Sequence, residues 1–207
     1  MERNLREHDY VVIDNVLSKE HYGLLKEYFE TCEWSFTNET NDHKYTDLTR
    51  EQALQDYGLV NIVQMYGQSK NTVVTKIFTE NIQKYFSLDK IERIKAGLFP
   101  PAESEIIHYP HVDIEKPHWT GLYYFSTEKD AGHTYIYDQK WDAYRYKDAN
   151  EQWRLTQHNF RIADKIEAKE NRVVFFRGDV FHASSRPRNI FKRIAINVNF
   201  EGRPLSV

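Results

Sequence analysis

From Lys90 onward the chain breaks into short β-rich runs separated by turn residues, at 91–98, 105–109, 120–126, 133–138, 172–177 and 193–200. That rhythm predicts a β-sandwich or jelly roll. Ahead of it, residues 10–17 read as a strand. Ser18 then serves as the N-cap of a helix that carries Tyr22, Leu25 and Phe29 on one face. Two more helices are expected. One follows Thr49, where Thr49-Arg50-Glu51-Gln52 fits a capping box, and one covers 71–86, with Val74, Ile77, Phe78 and Ile82 at helical spacing. Their apolar faces need a sheet to cover. Residues 139–170 are polar yet carry Trp141, Tyr144, Tyr146, Trp153 and Phe160, which predicts an ordered insertion or hairpin rather than a linker.

The 207 residues, 40% hydrophobic and 29% charged, suffice for one domain with a sizeable core. We therefore expect a single domain over 1–207, with a strand and helices in 1–89 and a jelly-roll core in 90–200. A formal net charge of -3 gives no electrostatic reason to expect nucleic-acid or anionic-membrane binding. No apolar run reaches the roughly 18 residues of a membrane span. The single cysteine, Cys32, excludes an intrachain disulfide, a Cys-based zinc site and an iron–sulfur cluster. Its N-terminus is charged and lacks an apolar leader core. A soluble, cytoplasmic protein is the expectation.

The sharpest local motif is His111-Val112-Asp113, directly after the expected 105–109 strand. Residues two apart on a strand share a face, so the imidazole and the carboxylate can converge on one ion. With nine histidines in the chain the motif is weak alone. His182, after the 172–177 strand and the Gly178-Asp179 turn, supplies a third ligand from a second element. Two histidines and one carboxylate make the facial triad diagnostic of non-haem Fe(II) oxygenases, whereas zinc settles more often as a closed tetrahedral site. His108 and His118 lack this pattern and are not assigned as ligands.

Arg193 opens the alternating run Arg193-Ile194-Ala195-Ile196-Asn197-Val198-Asn199-Phe200, with Arg193, Ala195, Asn197 and Asn199 on one face. A guanidinium at the start of a polar strand face suits a carboxylate held in a bidentate fork. Arg186, Arg188 and Lys192 are nearby competitors for that role. Within Thr120-Gly121-Leu122-Tyr123-Tyr124-Phe125, a tyrosine hydroxyl can add a second hydrogen bond to the same carboxylate.

Taken together, the segment 98–200 resembles the double-stranded β-helix core of 2-oxoglutarate/Fe(II) oxygenases, close to the prolyl-hydroxylase-like branch. The matching pieces are Phe99-Pro100-Pro101, His111-Val112-Asp113, 120–125, Asp130-Ala131-Gly132-His133-Thr134, Val173-Val174-Phe175-Phe176, His182 and Arg193. Ala131-Gly132-His133-Thr134 departs from the usual Gly-Gly-x-Thr turn, and the His182 to Arg193 gap is slightly long for the branch. The resemblance implies an α+β fold, a distorted double-stranded β-helix (jelly-roll, cupin-like) with N-terminal supporting helices. It makes His111, Asp113 and His182 the iron ligands, with Arg193 and Tyr124 anchoring the co-substrate's distal carboxylate. It further implies Fe(II), 2-oxoglutarate and O2, with ascorbate as a candidate reductant. The implied reaction is hydroxylation of an unactivated C–H on a peptidyl side chain or small metabolite, with release of succinate and CO2. The retained Asp113 favours hydroxylation over halogenation. A cupin-type dioxygenase that uses no 2-oxoglutarate and a non-catalytic metal-binding sensor are the alternatives.

Overall fold

The computed structural model describes residues 9–37, 57–103, 106–125, 131–188 and 190–205. The chain runs β1 (Tyr10–Asp14), α1 (Lys19–Thr31), β2 (Ser35–Thr37), β3 (Gly58–Met65), β4 (Gln68–Ser69), α2 (Thr72–Ile82), β5 (Phe86–Phe99) and β6 (Trp119–Tyr124). It continues through β7 (His133–Lys140), α3 (Ala149–Thr156), a short 3-10 turn (Gln157–Asn159), β8 (Ile162–Glu167), β9 (Arg172–Arg177), β10 (Val180–Ser184) and β11 (Arg193–Pro204). A major antiparallel sheet has the order β1-β9-β6-β11-β5-β3-β2, with β4 beside β3. The minor sheet has the order β10-β7-β8. Two facing antiparallel sheets with helices on the outside of the larger one make the jelly roll that the strand rhythm predicts.

Period-two alternation on the major sheet builds a core on each side. Ile94 and Ala96 of β5 and Ile194, Ile196, Val198 and Phe200 of β11 pack outward against Leu25 and Phe29 of α1 and Ile77, Phe78 and Ile82 of α2. The opposite side, with Leu122, Tyr124, Val174, Phe176 and Ala195, meets Ile136 and Val180 of the minor sheet. Ser18 caps α1 by accepting from the His21 amide, and Asn71 caps α2 by accepting from the Val74 amide.

Several expected boundaries shift, each for a local reason. The first strand stops at Asp14 because Asn15 takes φ 53°, after which Val16 and Leu17 bond to Asn171 instead of a strand partner. The helix expected to reach residue 86 ends at Ile82. Phe86 instead starts β5, where its ring packs against Trp119, Phe175 and Phe200 at 5.2, 5.2 and 4.9 Å between centroids. The helix expected after Thr49 lies outside the described residues. The expected insertion divides: residues 141–161 leave the sheet and contain α3, while β8 returns to pair with β7. Sequence reading also omits β3 and β10 as strands. The 105–109 run is no ladder strand; its described part meets the residue that follows β10 in an isolated bridge, Ile107 to Ser185.

Candidate metal centre

His111 reaches the site through pairing with His182. The two residues form an isolated antiparallel bridge in which each amide donates to the other's carbonyl, at 2.9 and 3.0 Å. Directly opposed residues of such a pair project side chains to one side, and the two imidazole centroids stand 4.5 Å apart. The convergence expected from i, i+2 alternation on a strand is therefore corrected. His111 and Asp113 occupy an irregular segment, and a cross-strand bridge brings the rings together.

Asp113 is fixed by the major sheet. Its Oδ1 accepts from Arg93 Nη2 on β5 at 2.9 Å and from Asn197 Nδ2 on β11 at 3.0 Å. Its Oδ2 accepts from Asn199 Nδ2 at 3.0 Å and from the Thr120 hydroxyl on β6 at 3.2 Å. His182 Nε2 is 3.8 Å from that same Oδ2. One ligand-type atom from each of His111, Asp113 and His182 lies within 4.8 Å of the others, the one such group of three among the described residues.

The protonation states suit a cation. His111 Nδ1 is 3.0 Å from the Tyr109 carbonyl and His182 Nδ1 is 3.3 Å from that of Val180. A carbonyl only accepts, so both Nδ1 atoms carry the proton and both Nε2 lone pairs are left for a metal. Burial pushes the His111 pKa down to about 3, helped by His182. His182 is also lowered by burial. Burial alone would raise Asp113, yet the Arg93 guanidinium holds it well below the usual carboxylate range. Two neutral imidazoles and one ionised carboxylate therefore converge, a donor set that fits a divalent non-haem iron.

A cavity of about 690 Å³ runs from this cluster past Leu122 and Ser184 to Thr134 and Arg193. Arg193 is 0% exposed. Its Nη1 donates to the carbonyls of His133 and Ser185 at 2.9 and 2.6 Å, and its Nη2 to the Thr134 hydroxyl at 3.1 Å. Its Nε is buried with no hydrogen-bond partner. No carboxylate pairs with this cation among the described residues. Gly132 makes the close turn beneath it: φ is 84°, and a Cβ there would lie 2.7 Å from the Ser185 carbonyl oxygen.

The other sequence candidates fall elsewhere. Tyr124 is fully buried and does not line the cavity; its hydroxyl donates to Thr134 at 2.7 Å. Thr134 thus stands on the wall where Tyr124 was expected. Arg186 turns away to the Pro100 and Pro101 carbonyls and the Tyr57 ring. Arg188 and Lys192 do not line the cavity. His108 does line it, with Nδ1 3.0 Å from Ser184 Oγ, while His118 is bonded through Nδ1 to the Lys116 carbonyl at 2.8 Å. Sequence reading missed Arg93, which carries no local motif, because its role follows from the β5–β11 register.

No protein-family model matches the chain, and no curated protein sequence matches it either. Solved structures do. A 2OG-Fe(II) oxygenase family oxidoreductase from Burkholderia pseudomallei matches 96% of this chain and 89% of its own, with a TM-score of 0.59 at 9% identity. A prolyl hydroxylase from Trichoplax adhaerens, in complex with a hypoxia inducible factor peptide fragment, matches 95% of this chain and 85% of its own, with a TM-score of 0.57 at 11% identity. HygX from Streptomyces hygroscopicus, with nickel and 2-oxoglutarate bound, matches 93% and 82%, with a TM-score of 0.56 at 9% identity. At such identities the likeness carries the fold: this chain has the double-stranded β-helix architecture of 2-oxoglutarate/Fe(II) oxygenases.

Proposed function

We propose that this chain is an Fe(II)- and 2-oxoglutarate-dependent oxygenase that hydroxylates an unactivated C–H of a small metabolite or peptidyl side chain. The observation that carries the reading is the fully buried Arg193 guanidinium, which has no carboxylate partner among the described residues and opens onto the same cavity as the His111, Asp113 and His182 cluster. A buried cation without a counter-charge is costly, and an anionic ligand removes the cost. A metal-only dioxygenase or a metal-binding sensor gives Arg193 no task.

His111 and His182 would hold the iron through Nε2, and Asp113 through the carboxylate. Arg193 would receive the distal carboxylate of 2-oxoglutarate, with Thr134 beside it. Because Thr134 Oγ1 already accepts from Tyr124 and Arg193, its own proton is left to donate. Leu122 and Ala195 give the passage between these ends an apolar lining that limits water. Bound there, iron and 2-oxoglutarate supply the oxidising chemistry, in which O2 and the keto acid give succinate, CO2 and a hydroxylated substrate. Ascorbate is the proposed auxiliary reductant. A cytoplasmic setting is proposed because one cysteine, Cys32, can form no internal disulfide. The peptide held by the Trichoplax adhaerens protein is the reason to include peptides among candidate substrates.

The test is anaerobic loading with Fe(II), then 2-oxoglutarate, then O2 with succinate measured. One metal per chain and succinate that depends on both additions are expected. Iron binding without any binding of 2-oxoglutarate would overturn the reading.

A further inference from the structure

Arg93 and Asn199 stand directly opposite each other in the β5–β11 ladder, so their side chains project to one face of the major sheet. That face is the cavity side, since Arg93 and Asn197 line the cavity while Ile94 and Val198 enter the helix-side core. Arg93 Nε donates to Asn199 Oδ1 and Arg93 Nη2 to Asp113 Oδ1, both at 2.9 Å. Asn199 Nδ2 donates in turn to Asp113 Oδ2 at 3.0 Å. The three residues thus close a hydrogen-bonded ring that grips both oxygens of the carboxylate.

The two oxygens are held differently. The Asn199 amide cannot flip, because its Oδ1 takes the Arg93 Nε proton and its Nδ2 must then face the carboxylate. Arg93 cannot swing Nη2 away from Asp113 without breaking the Nε bond as well. Asn197 Nδ2 adds a second donor to Oδ1 at 3.0 Å, so that oxygen is met from both β5 and β11. Oδ2 is the oxygen turned to the triad, 3.8 Å from His182 Nε2. Its donor besides Asn199 is the Thr120 hydroxyl at 3.2 Å, the longest of the four bonds. A hydroxyl hydrogen can turn aside where a guanidinium hydrogen held at a second point cannot. The carboxylate is therefore poised to take up a cation at one oxygen only.

We propose that Arg93 is a positioning residue: with Asn197 it occupies Asp113 Oδ1, limits the carboxylate to one-oxygen ligation through Oδ2, and so keeps open the metal positions that 2-oxoglutarate and O2 need. This rests on the oxygenase reading above, while its metal-binding part can be measured alone. Carboxylates ligate metals through one oxygen or through two. Ligation through two would close one position of the roughly three that a facial triad leaves on a six-coordinate ion. Because Asp113 lies outside the ladder strands, the side chains bonded to it set its orientation.

The experiment uses the full chain loaded with Mn(II), before and after 2-oxoglutarate is added. Water-proton relaxation reports the exchangeable waters on the metal, a property that a purely structural role for Arg93 would leave unmoved. Arg93→Met should lower the bound-water contribution to about two-thirds of the wild-type value, one position in roughly three. Arg93→Lys, which can still lay a donor on Oδ1, should restore it. Asn197→Ala removes the other donor to Oδ1 without stranding a charge, and should shift the relaxation in the same direction by a smaller amount. It carries the test if Arg93→Met does not fold. Loaded instead with Fe(II), Arg93→Met should keep its half-saturating 2-oxoglutarate concentration within about threefold while succinate formation at saturation falls about tenfold. Unchanged relaxation in Asn197→Ala and in folded Arg93→Met, each with one Mn(II) per chain, overturns the proposal, as does a loss in both variants confined to Tm. Wild-type protein that binds Mn(II) but not 2-oxoglutarate overturns the oxygenase reading and leaves the ligation of Asp113 to be decided by the relaxation. Failure of the wild-type protein to bind Mn(II) overturns both.

Discussion

Tyr124 donates its hydroxyl hydrogen to Thr134 Oγ1 at 2.7 Å, so that threonine, and not the tyrosine, faces the cavity. Thr134→Val is therefore expected to weaken 2-oxoglutarate binding by roughly 1.5–3 kcal/mol, the worth of a hydrogen bond to a charged group. Tyr124→Phe should act mainly on stability, by about 1 kcal/mol, since it removes one buried hydrogen bond away from the ligand. Calorimetric titration of 2-oxoglutarate into the Mn(II)-loaded variants checks the order. A larger loss from Tyr124→Phe than from Thr134→Val would return the anchor to the tyrosine.

His111→Ala, Asp113→Ala and His182→Ala should each abolish turnover and sharply weaken Fe(II) binding. His108→Ala and His118→Ala should leave one metal per chain, because their Nδ1 atoms bond to Ser184 and to the Lys116 carbonyl outside the triad. Anaerobic metal titration decides between them. Undiminished affinity in His182→Ala would dismiss the triad.

Arg193→Ala should keep full Fe(II) occupancy while losing roughly 2–5 kcal/mol of co-substrate binding, because a carboxylate would be left partly desolvated without its cation. The same change strands the His133 and Ser185 carbonyls, so a lowered Tm is expected as well. Retained 2-oxoglutarate affinity with intact iron loading would remove the co-substrate from the mechanism.

The metal-free protein should lose stability as pH falls. Folded His111 titrates near 3 against an ordinary value of 6.5, and folded His182 is lowered too. Between those limits the unfolded chain binds protons that the folded chain does not, so stability is full above about pH 6.5 and declines below it. Asp113, shifted the same way, adds stability above its ordinary value of 3.8 that is lost only at more acid pH. Urea midpoints of apoprotein should therefore drop between about pH 7.5 and about pH 5. Midpoints that rise over that interval would show the histidines to be charged in the fold.

The Ala149 amide on Glu115 and a T-shaped Tyr109–Trp153 pair at 4.9 Å help to dock helix α3 on the site. Its first turn lines the cavity through Asp148, Ala149 and Asn150. Replacing residues 142–160 by a short loop that leaves β7 and β8 paired should spare metal binding and uncoupled succinate formation, and reduce substrate-dependent turnover. Loss of metal would show the segment to be structural. Phe160 takes no part in that lining, because its ring packs against Tyr137 and Phe181.

What the sequence determined by itself is whatever depends on neighbours along the chain. Ser18 announced α1 by its own side chain, and the alternation of 193–200 correctly divided β11 into an apolar side and a polar one. His111, Asp113 and His182 could be picked out by residue type and spacing, as could Arg193. Tertiary structure alone decided which groups these residues meet. The β5–β11 register places Arg93 opposite Asn199 and on Asp113, and the bridge to β10 turns His111 toward His182. The β7–β10 pairing sets Thr134 opposite Ser184 beside Arg193, leaving Tyr124 one layer behind. Strand registers are long-range: a one-residue slip turns every side chain to the other face, and only the packing of both sheets on both cores fixes them.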